Sequence, residues 1–253
     1  MPLGLPEPIK GCLFDLDGVI TRTATVHAAA WKQMFDEFLR SRAAESGEAF
    51  VPFDSRLDYE RYVDGKPRLD GTRDFLRSRG IDLPEGDDGD PPGAPTVHGL
   101  SNRKNDLVLV RIHEDGVEVY DGSVAYVKAV RAAGLRTAVV SSSANTMDVL
   151  HTTGLSGLFD AVIDGVVARR RGLHGKPAPD TFLAGAEAIG VSPAEAAVFE
   201  DALAGVEAGR AGHFGCVVGV DRVGQSDELR AHGADVVVCD VADLMADNSG
   251  ATA

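Results

Sequence analysis

From residue 121 onward, short apolar runs alternate with helix-length segments, and this alternation is the strongest constraint on the fold. Residues 123–133 read as a helix closed by Gly134, 136–140 as an apolar strand, 146–153 as a helix ended by Gly154, and 161–163 as a short strand. A helix over 179–189 stops at Gly190. Then come a strand over 197–199, a helix over 202–211, a strand over 216–220 and a last short strand over 235–239. Strands joined through helices run parallel, and right-handed crossovers place helices on both faces of the sheet. An apolar stretch over 12–16 precedes all of them and supplies a further buried strand.

Between that first strand and the alternating part lies text of another kind. Residues 26–39 read as an amphipathic helix, with Val26, Ala30, Phe35, Phe38 and Leu39 among its apolar positions. From 40 to 83 the chain is charged, with helices broken near Pro52 and Gly65. Residues 84–95 are rich in Gly, Asp and Pro and read as an exposed loop, and 101–112 as another helix. None of these stretches has the character of a parallel-sheet strand. The expected architecture is therefore α/β, a Rossmann-like parallel sheet core built from 1–22 and 116–253 with a mostly helical insert over 23–115. The tail over 247–253 reads as disordered.

The chemistry is expected at the carboxyl ends of the strands, where such sheets bind ligands. The first strand runs into Asp15 and Asp17, with Gly18 permitting a sharp bend. A buried strand that ends in two acids needs a cation or a reaction to compensate them. Mg²⁺ takes oxygen ligands and would do so. One carboxylate would also serve as a nucleophile toward phosphorus and the other as a proton carrier. Ser141, Ser142, Ser143 and Asn145 follow the strand over 136–140, and hydroxyls with backbone N–H groups at a helix start cradle phosphate. Lys176, in Gly175-Lys176-Pro177, offers one compact positive charge, and Glu200 and Asp201 follow the strand over 197–199. Each group alone has a plain structural reading, as a cap or a solvated charge. Their placement at successive strand ends favours a site.

Composition bounds the partners. With 44% hydrophobic residues, 253 residues suffice for a full core. A net charge of −14 argues against nucleic acid or an anionic membrane as a partner, since both call for a basic surface. Cys12, Cys216 and Cys239 all lie in apolar, strand-like runs. They are expected to be buried free thiols, which suits a reducing, cytoplasmic location. The first ten residues lack a signal-like apolar stretch, and no run is long enough to span a bilayer. The triple Arg169, Arg170 and Arg171 reads as a solvated loop.

Asp15-x-Asp17-Gly18, Ser141, Lys176 and Glu200-Asp201, in that order and spacing, resemble the four motifs of the haloacid-dehalogenase-like superfamily of phosphotransferases. The resemblance implies Asp15 as nucleophile and Asp17 as general acid/base, with Ser141 and Lys176 on the phosphoryl group. It places Mg²⁺ on Asp15, the Asp17 carbonyl and Asp201, with Glu200 as ligand or support. The insert stands where that superfamily carries a helical cap. Thr21 and Thr23, then His27, Trp31 and Lys32, together with Gly65-Lys66-Pro67-Arg68, Arg103-Lys104-Asn105-Asp106 and Lys176-Pro177-Ala178-Pro179-Asp180, are most similar to the β-phosphoglucomutase family.

That similarity implies a Mg²⁺-dependent enzyme that interconverts β-glucose 1-phosphate and glucose 6-phosphate through an aspartyl phosphate and a glucose bisphosphate. A sugar-phosphate phosphatase of the same superfamily is the alternative. Substrate contacts are expected from His27, Trp31, Lys32, Gly65, Arg68, Lys104, Asn105, Ser141, Ser143, Asn145 and Lys176. The protein is expected to act as a monomer on small phosphorylated sugars.

Overall fold

The computed structural model describes residues 3–246, so the reading of 247–253 lies outside the described residues. The chain forms two compact units, one within Met1–Arg22 and Val117–Ala253, the other Thr23–Gly116.

In chain order, β1 (Gly11–Phe14) belongs to the first unit, and α1 (Thr23–Ser46), α2 (Arg68–Ser78) and α3 (Val97–Asp115) to the second. The first unit resumes with α4 (Asp121–Ala132), β2 (Arg136–Val140), α5 (Thr146–Thr152), β3 (Ala161–Ile163), α6 (Gly165–Arg171) and α7 (Asp180–Ala188). It ends with β4 (Ala196–Glu200), α8 (Leu203–Ala211), β5 (Cys216–Val220), α9 (Ser226–Ala231), β6 (Val236–Val238) and α10 (Asp243–Ala246).

The six strands make one sheet in the order β3-β2-β1-β4-β5-β6, and every neighbouring pair is parallel. The chain leaves β1 toward β2 and β3, then returns to the other side of β1 for β4. The carboxyl ends of β1 and β4 therefore flank the point where the winding reverses, which is where an open parallel sheet binds ligands.

β1, β4 and β5 are buried along their whole length because helices cover both faces. On one face Leu13 and Val140 pack closely enough against Gly185 of α7 that a Cβ there would lie 2.6 Å from Leu13 Cδ2. On the other, Phe14 stacks on Phe199 at 4.4 Å between centroids and meets Tyr126 of α4 edge-on at 6.4 Å. Neighbouring residues of one strand thus serve opposite cores, as the period of two requires.

The second unit is helical and contains no sheet strand. Its core is a chain of rings: Trp31 on Phe35 at 5.3 Å, Phe35 on Phe75 at 4.0 Å and Phe53 against Phe75 at 5.0 Å. Residues 47–54 carry no helix, a single π-turn covers Tyr59–Val63, and α2 follows Gly65 and Pro67. Thr96 caps α3 by accepting the Gly99 N–H at 2.9 Å.

Two expectations are corrected here. Arg169, Arg170 and Arg171 are exposed but form the last turn of α6, not a loop. The Asp164 side chain caps this helix through the Val167 N–H at 2.7 Å, and Gly172 ends it in a left-handed conformation. Cys239 is exposed, whereas Cys12 and Cys216 are buried free thiols. It lies just past β6, the strand at one edge of the sheet among the described residues.

Candidate active site

Asp15 continues the line of β1, and its backbone N–H donates to the Phe199 carbonyl at 2.9 Å. Its side chain is buried. Lys176, in the turn between α6 and α7 and also buried, donates to Asp15 Oδ1 at 2.5 Å, to the Val140 carbonyl at 3.3 Å and to Glu200 Oε1. One ammonium thus ties the ends of β1, β2 and β4 together. Glu200 is oriented from its other oxygen, which accepts the Ala202 N–H at 2.9 Å.

Ser141 donates to Asp17 Oδ2 at 3.3 Å, and its oxygen accepts the Ser143 N–H at 3.1 Å. Ser143 Oγ accepts the Asn145 N–H at 3.1 Å, so the hydroxyl loop is wired into the first turn of α5. Asp15, Asp17, Ser141, Ser143, Asn145, Lys176, Glu200 and Asp201 all belong to the first unit, Glu200 as the last residue of β4 and the others in loops at the same end of the sheet.

Two close approaches depend on missing Cβ atoms. Gly18 has φ +91°, and a Cβ there would stand 1.8 Å from Asp201 Oδ2. At Gly205, on the first turn of α8, a Cβ would stand 1.9 Å from Glu200 Oε1. Gly205→Ala must therefore push Glu200 away from Lys176. We expect it to cost about 1–3 kcal/mol, as overpacking does, read as a lowering of Tm by several degrees; an unchanged Tm would show that Glu200 moves freely.

Asp15, Asp17, Glu200 and Asp201 bring four carboxyl groups to the strand ends where Lys176 places its ammonium. Burial pushes the Asp15 carboxyl well above its ordinary range; Lys176 pulls it down, while Glu200 and Asp17 push it further up. Burial also works against the Lys176 ammonium, but the carboxylates of Asp15 and Glu200 outweigh it and hold the lysine firmly protonated. Oxygen atoms of Asp15, Glu200 and Asp201 lie within 4.8 Å of one another. Three hard oxygen donors that repel one another at this range fit a small divalent cation.

The second unit holds its own polar group. His27 and Trp31 share a face of α1, four residues apart. Lys104 of α3 is buried; its Nζ lies 2.8 Å from His27 Nδ1 and 4.9 Å from the centre of the Trp31 ring. An ammonium has only donors, so this contact calls for a His27 tautomer with Nδ1 as the acceptor. Arg68, in the first turn of α2 after Gly65, donates from Nη1 to Asn105 Oδ1 at 2.9 Å.

Trp31 and Lys32, expected in substrate contact, both have partners within the second unit. Trp31 is buried in the aromatic core and acts as the floor beneath Lys104. Lys32 is taken up by Asp36 at 2.9 Å and the Phe53 carbonyl at 2.9 Å, where it anchors the chain entering the core.

Two residues that the sequence did not single out reach the acid-bearing loops. Arg222 donates to the Gly18 carbonyl at 2.8 Å, and Gln225 to the Asp201 carbonyl at 2.9 Å. They lie after β5, whose end carries no acid pair or hydroxyl run to mark it.

The description of the haloacid dehalogenase-like hydrolase family matches residues 9–213. This chain belongs to that family. It is 58% identical over 246 residues to the β-phosphoglucomutase of Mycobacterium bovis, spanning 96% of this chain and 94% of that one. Against the β-phosphoglucomutase of Bacillus subtilis it is 30% identical over 238 residues, 93% of this chain and 92% of the other. The crystal structure of β-phosphoglucomutase from Clostridium difficile superposes with a TM-score of 0.73 at 25% identity, covering 93% of each chain. Among the described residues no helix is long and apolar enough to cross a membrane.

Proposed function

We propose that this chain is a phosphomutase that interconverts β-glucose 1-phosphate and glucose 6-phosphate. The observation that carries the reading is the arrangement around Asp15. A buried carboxylate is gripped by one lysine, beside a Ser141–Asp17 pair and an acid trio suited to a cation. The kinship with β-phosphoglucomutases over nearly the full chain supports the choice of substrate.

Asp15 is the nucleophile. One of its oxygens attacks phosphorus, the bond from phosphorus to the sugar oxygen breaks, and an acyl phosphate forms on the side chain. Asp17 gives the departing oxygen its proton. In the return step Asp17 removes a proton from the sugar hydroxyl that attacks the acyl phosphate. Ser141 and Lys176 hold the phosphoryl oxygens and neutralise their charge, which is the main demand of phosphoryl transfer.

Asp15, Asp201 and Glu200, with the Asp17 carbonyl, would hold Mg²⁺, which supplies charge neutralisation at the transferring group. A bisphosphate carries a second phosphate that needs further cations. The second unit carries Arg68 and Lys104, with Asn105 and His27 as their partners, and these are the cations we assign to that phosphate. The buried free thiols Cys12 and Cys216 suit a cytoplasmic, reducing location. The acidic chain is read as a monomer acting on small sugar phosphates rather than on nucleic acid or a membrane.

The test is incubation of the chain with β-glucose 1-phosphate, Mg²⁺ and a trace of glucose 1,6-bisphosphate, with products resolved by NMR. Glucose 6-phosphate is expected. Free glucose and inorganic phosphate alone would assign a phosphatase instead. Removing divalent cations with a chelator is expected to abolish turnover and adding Mg²⁺ to restore it; a full rate in chelator would refute the metal reading.

A further inference from the structure

The loop that follows β5 contains none of the reacting groups, yet it is built with unusual economy of motion. Asp221 Oδ1 accepts the backbone N–H groups of Val223 at 3.2 Å, Gly224 at 2.7 Å and Gln225 at 2.9 Å, and Oδ2 accepts the Ser226 hydroxyl at 2.5 Å. Residues 221–226 are therefore wound around one carboxylate, which leaves the loop little freedom.

Two side chains leave this loop for the acid-bearing loops. Arg222 donates from Nε to the Gly18 carbonyl at 2.8 Å, from Nη2 to the Val19 carbonyl at 3.4 Å and from Nη1 to the Cys239 carbonyl at 2.8 Å. Its guanidinium also lies 3.5 Å from the centre of the Tyr120 ring, so its plane is held as well as its donors. Gln225 donates to the Asp201 carbonyl at 2.9 Å.

The two tethered segments approach closely, since a Cβ on Gly18 would collide with Asp201 Oδ2 at 1.8 Å. Left to themselves, the carboxylates of Asp15 and Asp201 would drive these segments apart. Hydrogen bonds to main-chain carbonyls resist that motion, and Arg222 is held besides by Asp240 Oδ2 at 3.3 Å.

We propose that Arg222 and Gln225 are positioning residues for the acid trio: they set the spacing between the loop that bears Asp15 and Asp17 and the loop that bears Glu200 and Asp201, and thereby the affinity for a divalent cation. The proposal rests on the reading of that trio as a cation site. On the acid-bearing loops both reach main-chain carbonyls rather than the acid side chains. They act through the backbone of those loops, as supporting contacts around metal ligands commonly act.

The test uses the full chain freed of metal. Mg²⁺ and Mn²⁺ binding is measured by titration calorimetry, and unfolding is followed on the same samples without metal. Gln225→Met keeps the side-chain length and removes the donor; Arg222→Lys keeps the charge and removes the fork. Each is expected to weaken cation binding by about tenfold while the metal-free Tm stays unchanged. Variants that bind as tightly as the parent overturn the proposal, and so does a loss of affinity that appears only alongside a lowered metal-free Tm. If Arg222→Lys does not fold, Gln225→Met alone decides. A parent chain that binds neither ion overturns both the proposal and the cation reading; a parent that binds, with variants unaltered, overturns the proposal alone.

Discussion

Asp15→Asn is expected to lower phosphotransfer by at least about 10⁴-fold, about 5.4 kcal/mol of barrier. An amide oxygen is a poor nucleophile toward phosphorus and a weaker ligand for a hard cation than a carboxylate. The fold should survive. Asn has nearly the same volume, and Lys176 retains Glu200 and the Val140 carbonyl as partners. The substitution also removes one of the mutually repelling acids, and burial already disfavours the charged form of Asp15. The measurement is the rate of glucose 6-phosphate formation beside a thermal unfolding scan. Activity within about tenfold of the parent, about 1.4 kcal/mol, would remove Asp15 from the nucleophile's role. A collapse of Tm would mean that the lysine tie, rather than chemistry, was what the variant destroyed.

Arg68→Ala is expected to slow conversion of β-glucose 1-phosphate to glucose 6-phosphate by about 30- to 1,000-fold, about 2–4 kcal/mol. In the proposed cycle one phosphate of the bisphosphate would lie on Asp15, Ser141 and Lys176, and the other would need cations of its own. Arginine binds phosphate through two parallel donors, and the Asn105 oxygen orients its Nη1 at 2.9 Å. Hydrolysis of a small aryl phosphate makes no such demand and should change little. Arg68→Lys should fall between, since it keeps the charge and loses the fork. Equal losses on both substrates, or none on either, would refute the assignment of Arg68 to the second phosphate.

Much of the fold was readable because its signals are local. The strands over 136–140, 161–163 and 216–220 are short apolar runs bounded by turn residues, and they recur with those bounds in β2, β3 and β5. α6 leaves little mark in the sequence because Arg169, Arg170 and Arg171 erase its apolar periodicity. Its helix is set instead by the Asp164 cap and by Gly172, signals of one residue each. The exposure of Cys239 is not legible in the sequence, because an apolar run says that a strand exists but not that it is the outer one.

The acids and the lysine were equally legible as residue types, since no ordinary buried strand ends in uncompensated charge. Their order along the chain was enough to recognise the reaction class. What only the tertiary structure decided is which of these groups meet. That Lys176 bonds Asp15, Val140 and Glu200 at once follows from the strand order, which sets β1 between β2 and β4. The order of a parallel sheet is fixed by long-range pairing, not by any local pattern. The roles of Trp31, Lys32, Arg222 and Gln225 share this origin. A tryptophan becomes a floor, a lysine an anchor, and an arginine and a glutamine become tethers only when distant segments bring a ring, a carboxylate or a bare carbonyl to them. Backbone carbonyls look alike at every position of a sequence, so a contact made to one is invisible until the chain is folded.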